Sequence, residues 1–137
     1  MKQLVVHELN DRGVRIKLKE NQTTLSECKV SLSNNIWNIT EWFTDSKSQG
    51  QGFGKACLCY AIDQLFTHYG EPDEIRYNWN GVNEYVMDFL KRHFDPVSIL
   101  PISEQKFNEQ DSWEAHIYVL NKDKVFDYCN IEREQER

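Results

Sequence analysis

The chain has 137 residues, enough for one domain and too few for two of ordinary size. Apolar side chains make up 39% of it, with seven Phe, six Tyr and four Trp, which is enough to build a core and excludes wholesale disorder. A net charge of −6 and a pI near 5.2 argue against nucleic acid as the main partner, because phosphate binding needs a basic face.

An acidic surface attracts a cationic substrate such as an amine, although it also serves ordinary solubility. Apolar runs stay far below the roughly 20 residues that span a bilayer, so no membrane partner is expected. The segment Met1–His7 lacks a signal-peptide core, which points to a cytoplasmic protein. Cys28, Cys57, Cys59 and Cys129 form no C-x-x-C pair, and a reducing compartment keeps them as thiols. With His7, His68, His93 and His116 scattered along the chain, no metal site is expected.

In chain order, Leu4–His7 and Val14–Leu18 flank the turn cluster Asn10–Gly13 and predict a hairpin. Val14, Ile16 and Leu18 alternate with Arg15, Lys17 and Lys19, the pattern of a strand buried on one face. Leu25–Leu32 predicts a third strand, Ser33–Asn35 a turn, and the β-branched and aromatic run Ile36–Thr44 a fourth strand. A glycine-rich stretch follows. Cys57, Leu58, Ala61, Ile62, Leu65, Phe66 and Tyr69 then form one continuous apolar stripe at helical spacing, ended by Gly70 and Pro72. Ile75, Tyr77 and Trp79 alternate as a strand. Asn83–Phe94 reads as a second helix stopped by Asp95-Pro96, Pro101–Asp111 as a loop, and Trp113–Leu120 as a late strand. Residues 1–130 therefore read as one α/β domain with a mixed sheet, and the charged tail 131–137 is expected to fray.

The segment Gln49-Gly50-Gln51-Gly52-Phe53-Gly54-Lys55 joins a strand to a helix. A helix N-terminus exposes unpaired N–H groups and the positive end of the dipole, while glycines admit positive φ and let a phosphate approach the backbone. Lys55 adds a positive charge at the rim. The turn therefore suits a pyrophosphate, although a glycine-rich connection holding no ligand has the same composition. It is not a Walker loop, because Lys55 is followed by Ala56, and its glycine spacing is not G-x-G-x-x-G.

Gln49-x-x-Gly52-x-Gly54 resembles the Arg/Gln-x-x-Gly-x-Gly/Ala motif of the GNAT N-acetyltransferase superfamily. The strand Ile75–Trp79, followed by Asn83, Val86, Phe89 and Phe94, is similar to the next strand and helix of that family. The resemblance covers about Ile36–Leu120. It implies a GNAT-like, mostly antiparallel sheet flanked by helices, with acetyl-CoA as co-substrate. It places the CoA pyrophosphate on Gln49, Gly50, Gln51, Gly52, Phe53, Gly54 and Lys55. The thioester carbonyl falls to backbone N–H groups around Trp42, Phe43 and Thr44, and the pantetheine arm to Asn83. The family inserts two helices after its first strand, whereas the residues before Ile36 read here as strands throughout, a shortened N-terminal half. The acceptor side is therefore expected to be open, or built by loops or a second subunit.

Acetyl transfer to an amine needs a base, a polarised carbonyl and help for the leaving thiolate. Glu41 is the candidate general base, possible also as a solvated strand carboxylate. Tyr85, with Tyr77 behind it, is the candidate acid; both also suit a core. His116 could serve in either role. The position where the family often carries its acid Tyr falls on Phe89 or Leu90, which cannot donate a proton. Trp37, Trp42, Trp79 and Trp113 all fall on predicted strands, as core, dimer surface or acceptor-pocket wall, so a homodimer is allowed. The leading expectation is an N-acetyltransferase acting on an amine-bearing small molecule or peptide. The alternatives are a CoA-binding sensor on the same scaffold and an interaction domain without cofactor.

Overall fold

The computed structural model describes residues 1–80, 84–101 and 115–133. Four strands, β1 (Lys2–Asn10), β2 (Gly13–Glu20), β3 (Thr23–Ser33) and β4 (Ile36–Thr44), run as an antiparallel meander. The hairpin turns at Asn21-Gln22 and Asn34-Asn35 hold both central residues at positive φ, between 52° and 71°, the backbone that matches strand twist and that Asn adopts most readily. A 3₁₀ turn at Ser46–Ser48 leads into α1 (Phe53–Tyr69), which crosses back to β5 (Glu74–Asn80), parallel to β4. Then come α2 (Glu84–His93), β6 (Ser98–Pro101), β7 (Ala115–Val119) and α3 (Lys122–Tyr128). Among the described residues seven strands lie in the order β1-β2-β3-β4-β5-β7-β6, with β4–β5 the single parallel pair. This is a mixed, mostly antiparallel sheet, as expected.

The described helices share one face of the sheet. The buried stripe of α1 (Cys57, Leu58, Ala61, Ile62 and Leu65) packs on Val14, Ile16, Cys28 and Val30. Trp37 of β4 meets Phe126 of α3 with ring centroids 6.1 Å apart, and Phe126 meets Phe66 of α1 at 5.5 Å. Trp42, further along β4, packs on Phe89 and Phe94 of the α2 end. The opposite face carries Arg15, Glu27 and Glu41 in ion pairs, and no described helix covers it. The alternation of Val14, Ile16 and Leu18 with Arg15, Lys17 and Lys19 is the sequence counterpart of that asymmetry.

Two elements differ from the sequence reading. The segment Lys122–Tyr128 is helical, capped by Asn121, whose side chain accepts from the Lys124 N–H. Seven residues with only Val125 and Phe126 fully buried give too short a stripe to recognise by period. Ser98–Pro101 pairs with β7 as an edge strand, where Pro101 is tolerated because edge positions need fewer ladder donors. Pro101, the first residue of the predicted loop, is therefore the last of a strand, and 102–114, with Trp113, lie outside the described residues. At the C-terminus, Ile131 packs against the core. Arg133 bonds Glu71 at 3.1 Å and Asp123 at 2.7 Å and sits over the Phe126 ring, so the chain is held at least this far into the charged tail.

Candidate active site

The site begins at an irregularity in β4. Val30 of β3 pairs with Ile39 and Lys29 with Glu41, so Thr40 is an extra, unpaired residue. The bulge reverses the alternation: Trp37 and Ile39 face the helices before it, Trp42 and Thr44 after it. Pairing with β5 runs from Ile36↔Glu74 to Ile39↔Tyr77 and ends there. Beyond it, β4 continues through Thr44 and β5 through Asn80 without bonding each other. The parallel pair opens as a fork whose inner backbone groups are free of the cross-strand ladder.

The helix-side wall of the fork is aromatic. Trp42 lies edge-on to Phe89 at 5.3 Å and to Tyr77 at 6.5 Å, and stacks with Phe94 at 6.4 Å. Its indole N–H donates to the Gly54 carbonyl at 2.8 Å, which ties the end of β4 to the first turn of α1. The buried Ser26 hydroxyl donates to the Phe43 carbonyl and accepts from the Thr44 hydroxyl, each at 2.9 Å. Trp42 and Thr44 are thus held by hydrogen bonds, while the Phe43 side chain is half-exposed.

The glycine turn closes the end of the fork. Gly50 and Gly52 sit at φ 82° and 83°, in the left-handed region, and a Cβ at either would meet nothing within 4 Å. The backbone there is bare and open to an approaching group. Gly54 answers a different need: its Cβ would lie 3.1 Å from Thr44 Oγ1 and 3.4 Å from Trp42 Nε1, so a side chain there would make these neighbours give by a few tenths of an ångström. Gly52 caps α1 without a side-chain hydrogen bond, and the first turn holds no acidic residue. The first helical bond recorded there runs from the Ala56 N–H to the Gly52 carbonyl, so the preceding N–H groups point out of the helix end without intrahelical partners. A bare, left-handed turn at an uncapped, positive helix end fits a phosphate group.

The other predicted contacts divide. Gln51 is exposed at the turn. Gln49 reaches back to the Thr44 carbonyl at 3.3 Å. The Phe53 ring packs at the core edge with Lys2 Nζ 5.7 Å from its centre. Lys55 places its ammonium over the Tyr128 ring at 4.6 Å, on the α3 side of α1. Asn83 lies outside the described residues, as do the side chains of Tyr85 and His116, although Tyr85 falls on α2.

Glu41 faces the side of the sheet opposite the described helices. Arg15 Nη1 donates to it at 3.0 Å and also pairs with Glu27, while Arg15 Nε lies 3.7 Å from Glu8. The hydrogen bond to Glu41, followed by that to Glu27, raises the Arg15 pKa against the opposing effect of burial. Tyr77 is buried, and desolvation, with a smaller effect of Cys28, pushes its phenol up to about 12. A thiolate leaving group is best served by an acid nearer neutrality, so Tyr77 is poorly matched to that task. Leu90 is fully buried and Phe89 sits in the aromatic cluster, so neither offers a proton.

Sequence reasoning missed Asn78. It follows the last β4–β5 pair by one residue, alternates with Tyr77 and so lies on the same face as Glu41. Its Oδ1 is buried and has no hydrogen-bond partner among the described residues, an uncommon state for a buried polar atom. In the sequence it is one of several polar residues alternating along β5, and nothing local sets it apart. Among the described residues no His/Cys/Asp/Glu group is arranged to hold a metal ion, and no helix is long and apolar enough to cross a membrane.

The chain has the fold of the GNAT N-acetyltransferases. Solved structures of that fold align with this chain along most of its length. One is a ribosomal-protein alanine N-acetyltransferase from Escherichia coli, at TM-score 0.59 and 17% identity over 82% of this chain and 70% of that one. Another is a GNAT family acetyltransferase from Elizabethkingia anophelis with acetyl-CoA bound, at TM-score 0.55 and 14% identity over 80% and 74%. A third is a spermidine N-acetyltransferase chimera involving Vibrio cholerae, at TM-score 0.60 and 15% identity over 85% and 72%. No family model matches the sequence, and no curated protein matches it.

Proposed function

We propose that this chain is an acetyl-CoA-dependent N-acetyltransferase acting on a primary amine. The observation that carries the reading is the fork: two strands part at Ile39 and Tyr77, and the bare turn at Gly50 and Gly52 lies at its end. The turn binds the pyrophosphate through backbone N–H groups at the start of α1. The backbone of Trp42–Thr44 holds the pantetheine arm and polarises the thioester carbonyl. The acetyl group enters with the co-substrate, so the protein's part is binding, orientation and proton handling.

The amine arrives from the uncovered face. Glu41 and Asn78 stand there on the two sides of the fork. Glu41, hydrogen-bonded by Arg15 at 3.0 Å, takes the ammonium proton through a water molecule; the nitrogen then attacks the acetyl carbonyl, the thioester C–S bond breaks, and CoA leaves as the thiolate, which takes its proton from solvent. Asn78 Oδ1 accepts a remaining N–H and orients the nitrogen. A small molecule and a peptide N-terminus or lysine both meet this description, and several amine-directed acetyltransferases share the fold.

A second reading, a CoA-binding sensor without turnover, is favoured by the absence of a suitable acid at Phe89, Leu90 and Tyr77. One experiment separates the two. Acetyl-CoA is titrated calorimetrically, and thiol release is followed with a panel of polyamine, amino-acid and peptide amines. Binding with turnover is expected. Glu41→Gln should lower kcat/KM by about 10²- to 10⁴-fold, the usual share of a general base, with acetyl-CoA affinity unchanged. Binding without turnover on any amine supports the sensor, and no binding overturns both.

A further inference from the structure

One ring on the face opposite the described helices takes no part in the core. After the bulge at Thr40, Glu41 and Phe43 both point to that face. Phe43 is 50% exposed, the most exposed aromatic side chain among the described residues. A single exposed ring is ordinary on a protein surface, but this one stands among charges. The strand register sets Glu27 directly across from Phe43 and Lys17 across from Glu27, with Lys29 across from Glu41. The ring also borders the fork, because β4 has no ladder partner on its β5 side after Ile39. Its main chain is fixed. The Phe43 carbonyl accepts from the Ser26 hydroxyl at 2.9 Å, and that hydroxyl meets the Thr44 hydroxyl at the same distance.

We infer that the Phe43 side chain is a specificity-determining contact for the acceptor, selecting a primary amine carried on an apolar arm over a small polar amine or a polyamine. The inference rests on the acetyltransferase reading and on Glu41 as its base. Same-face neighbours along a strand lie about 7 Å apart. An ammonium held at the Glu41 carboxylate therefore leaves its arm within reach of the Phe43 ring. Arg15 bonds Glu41 at 3.0 Å and also pairs with the buried Glu27, so both carboxylates nearest the ring already have a cation. The acceptor meets one carboxylate and one apolar ring, and no row of unpaired carboxylates that would favour a polycation. A polar arm gains nothing at the ring, whereas an aryl or alkyl arm is desolvated against it, an advantage of about tenfold.

The test measures kcat/KM at saturating acetyl-CoA for phenethylamine, hexylamine, ethanolamine and spermidine, in the wild-type chain and in Phe43→Ser and Phe43→Tyr. The wild type is expected to prefer the two apolar amines over the other two by about tenfold. Phe43→Ser should erase that preference, mainly through a higher KM for the apolar amines. Phe43→Tyr, which keeps the ring, should retain it. The readout is the ratio between amines, because the Phe43 main chain belongs to the proposed site and any loss of thioester activation lowers every rate alike. An unchanged ratio in Phe43→Ser, or a wild type that favours ethanolamine or spermidine, overturns the inference and leaves the acetyltransferase reading standing. No turnover of any amine, with acetyl-CoA bound in calorimetry, overturns the reading and the inference together.

Discussion

Replacing Gly52 by asparagine is expected to weaken acetyl-CoA binding at least tenfold, about 1.4 kcal/mol, while the protein stays folded. The argument uses the two properties of the position separately. Its φ of 83° is strained for most side chains, but asparagine tolerates the left-handed region better than others. A Cβ there meets nothing within 4 Å, so the fold has room for the new side chain. That same open space is where a phosphate would approach the backbone, and the carboxamide would stand in it. Gly52→Val removes binding too, but adds backbone strain, which makes the asparagine variant the cleaner probe. Calorimetric titration alongside a thermal melt reads both effects. Unchanged affinity in a folded Gly52→Asn protein would move the pyrophosphate away from this turn.

The largest loss of stability is expected from Trp37→Ala, about 3–5 kcal/mol in urea unfolding. Trp37 is 1% exposed, sits on β4 between Leu32 of β3 and Ile75 of β5, and contacts the Phe126 ring of α3. Truncation leaves a void beneath α3 that a sheet on one side and a short helix on the other cannot readily fill. A loss of that size is a large part of the 5–15 kcal/mol typical of a domain. The same measurement decides between two roles considered for the tryptophans, because a residue lining an acceptor pocket would cost activity before stability. A loss below about 1 kcal/mol would contradict the packing described here.

Much of this architecture was legible in the order of residues. The apolar stripe from Cys57 to Tyr69 announces α1, since seventeen consecutive helical residues give the period time to repeat. The alternation along β2 announces a sheet with one wet face. The glycine turn could be read because the left-handed backbone at Gly50 and Gly52 favours glycine. Other features were out of reach for physical reasons. α3 is too short for a period to emerge. The ion pairs of Arg15 join it to residues 12 and 26 positions away, and only strand register decides which charges meet. Asn78 becomes distinctive only once the strands beside it part and its oxygen is seen to have no partner among the described residues. Glu41 was visible as a carboxylate on the fourth strand, but its guanidinium partner was not.

The extra residue in β4 has an effect like a frame-shift in reading. Because side chains alternate with period two, a single inserted position reassigns every later residue of the strand to the opposite face. Up to Ile39 the odd-numbered positions belong to the protein's interior; from Glu41 onward they belong to the solvent. The strand is thus two strands spliced out of phase, the first serving the core and the second serving whatever enters the fork. Were Thr40 instead paired with Lys29 in a regular ladder, Glu41 would turn inward and Trp42 outward, exchanging a carboxylate for an indole on each face. One threonine with no reactive part of its own therefore decides which chemistry this edge of the fork presents.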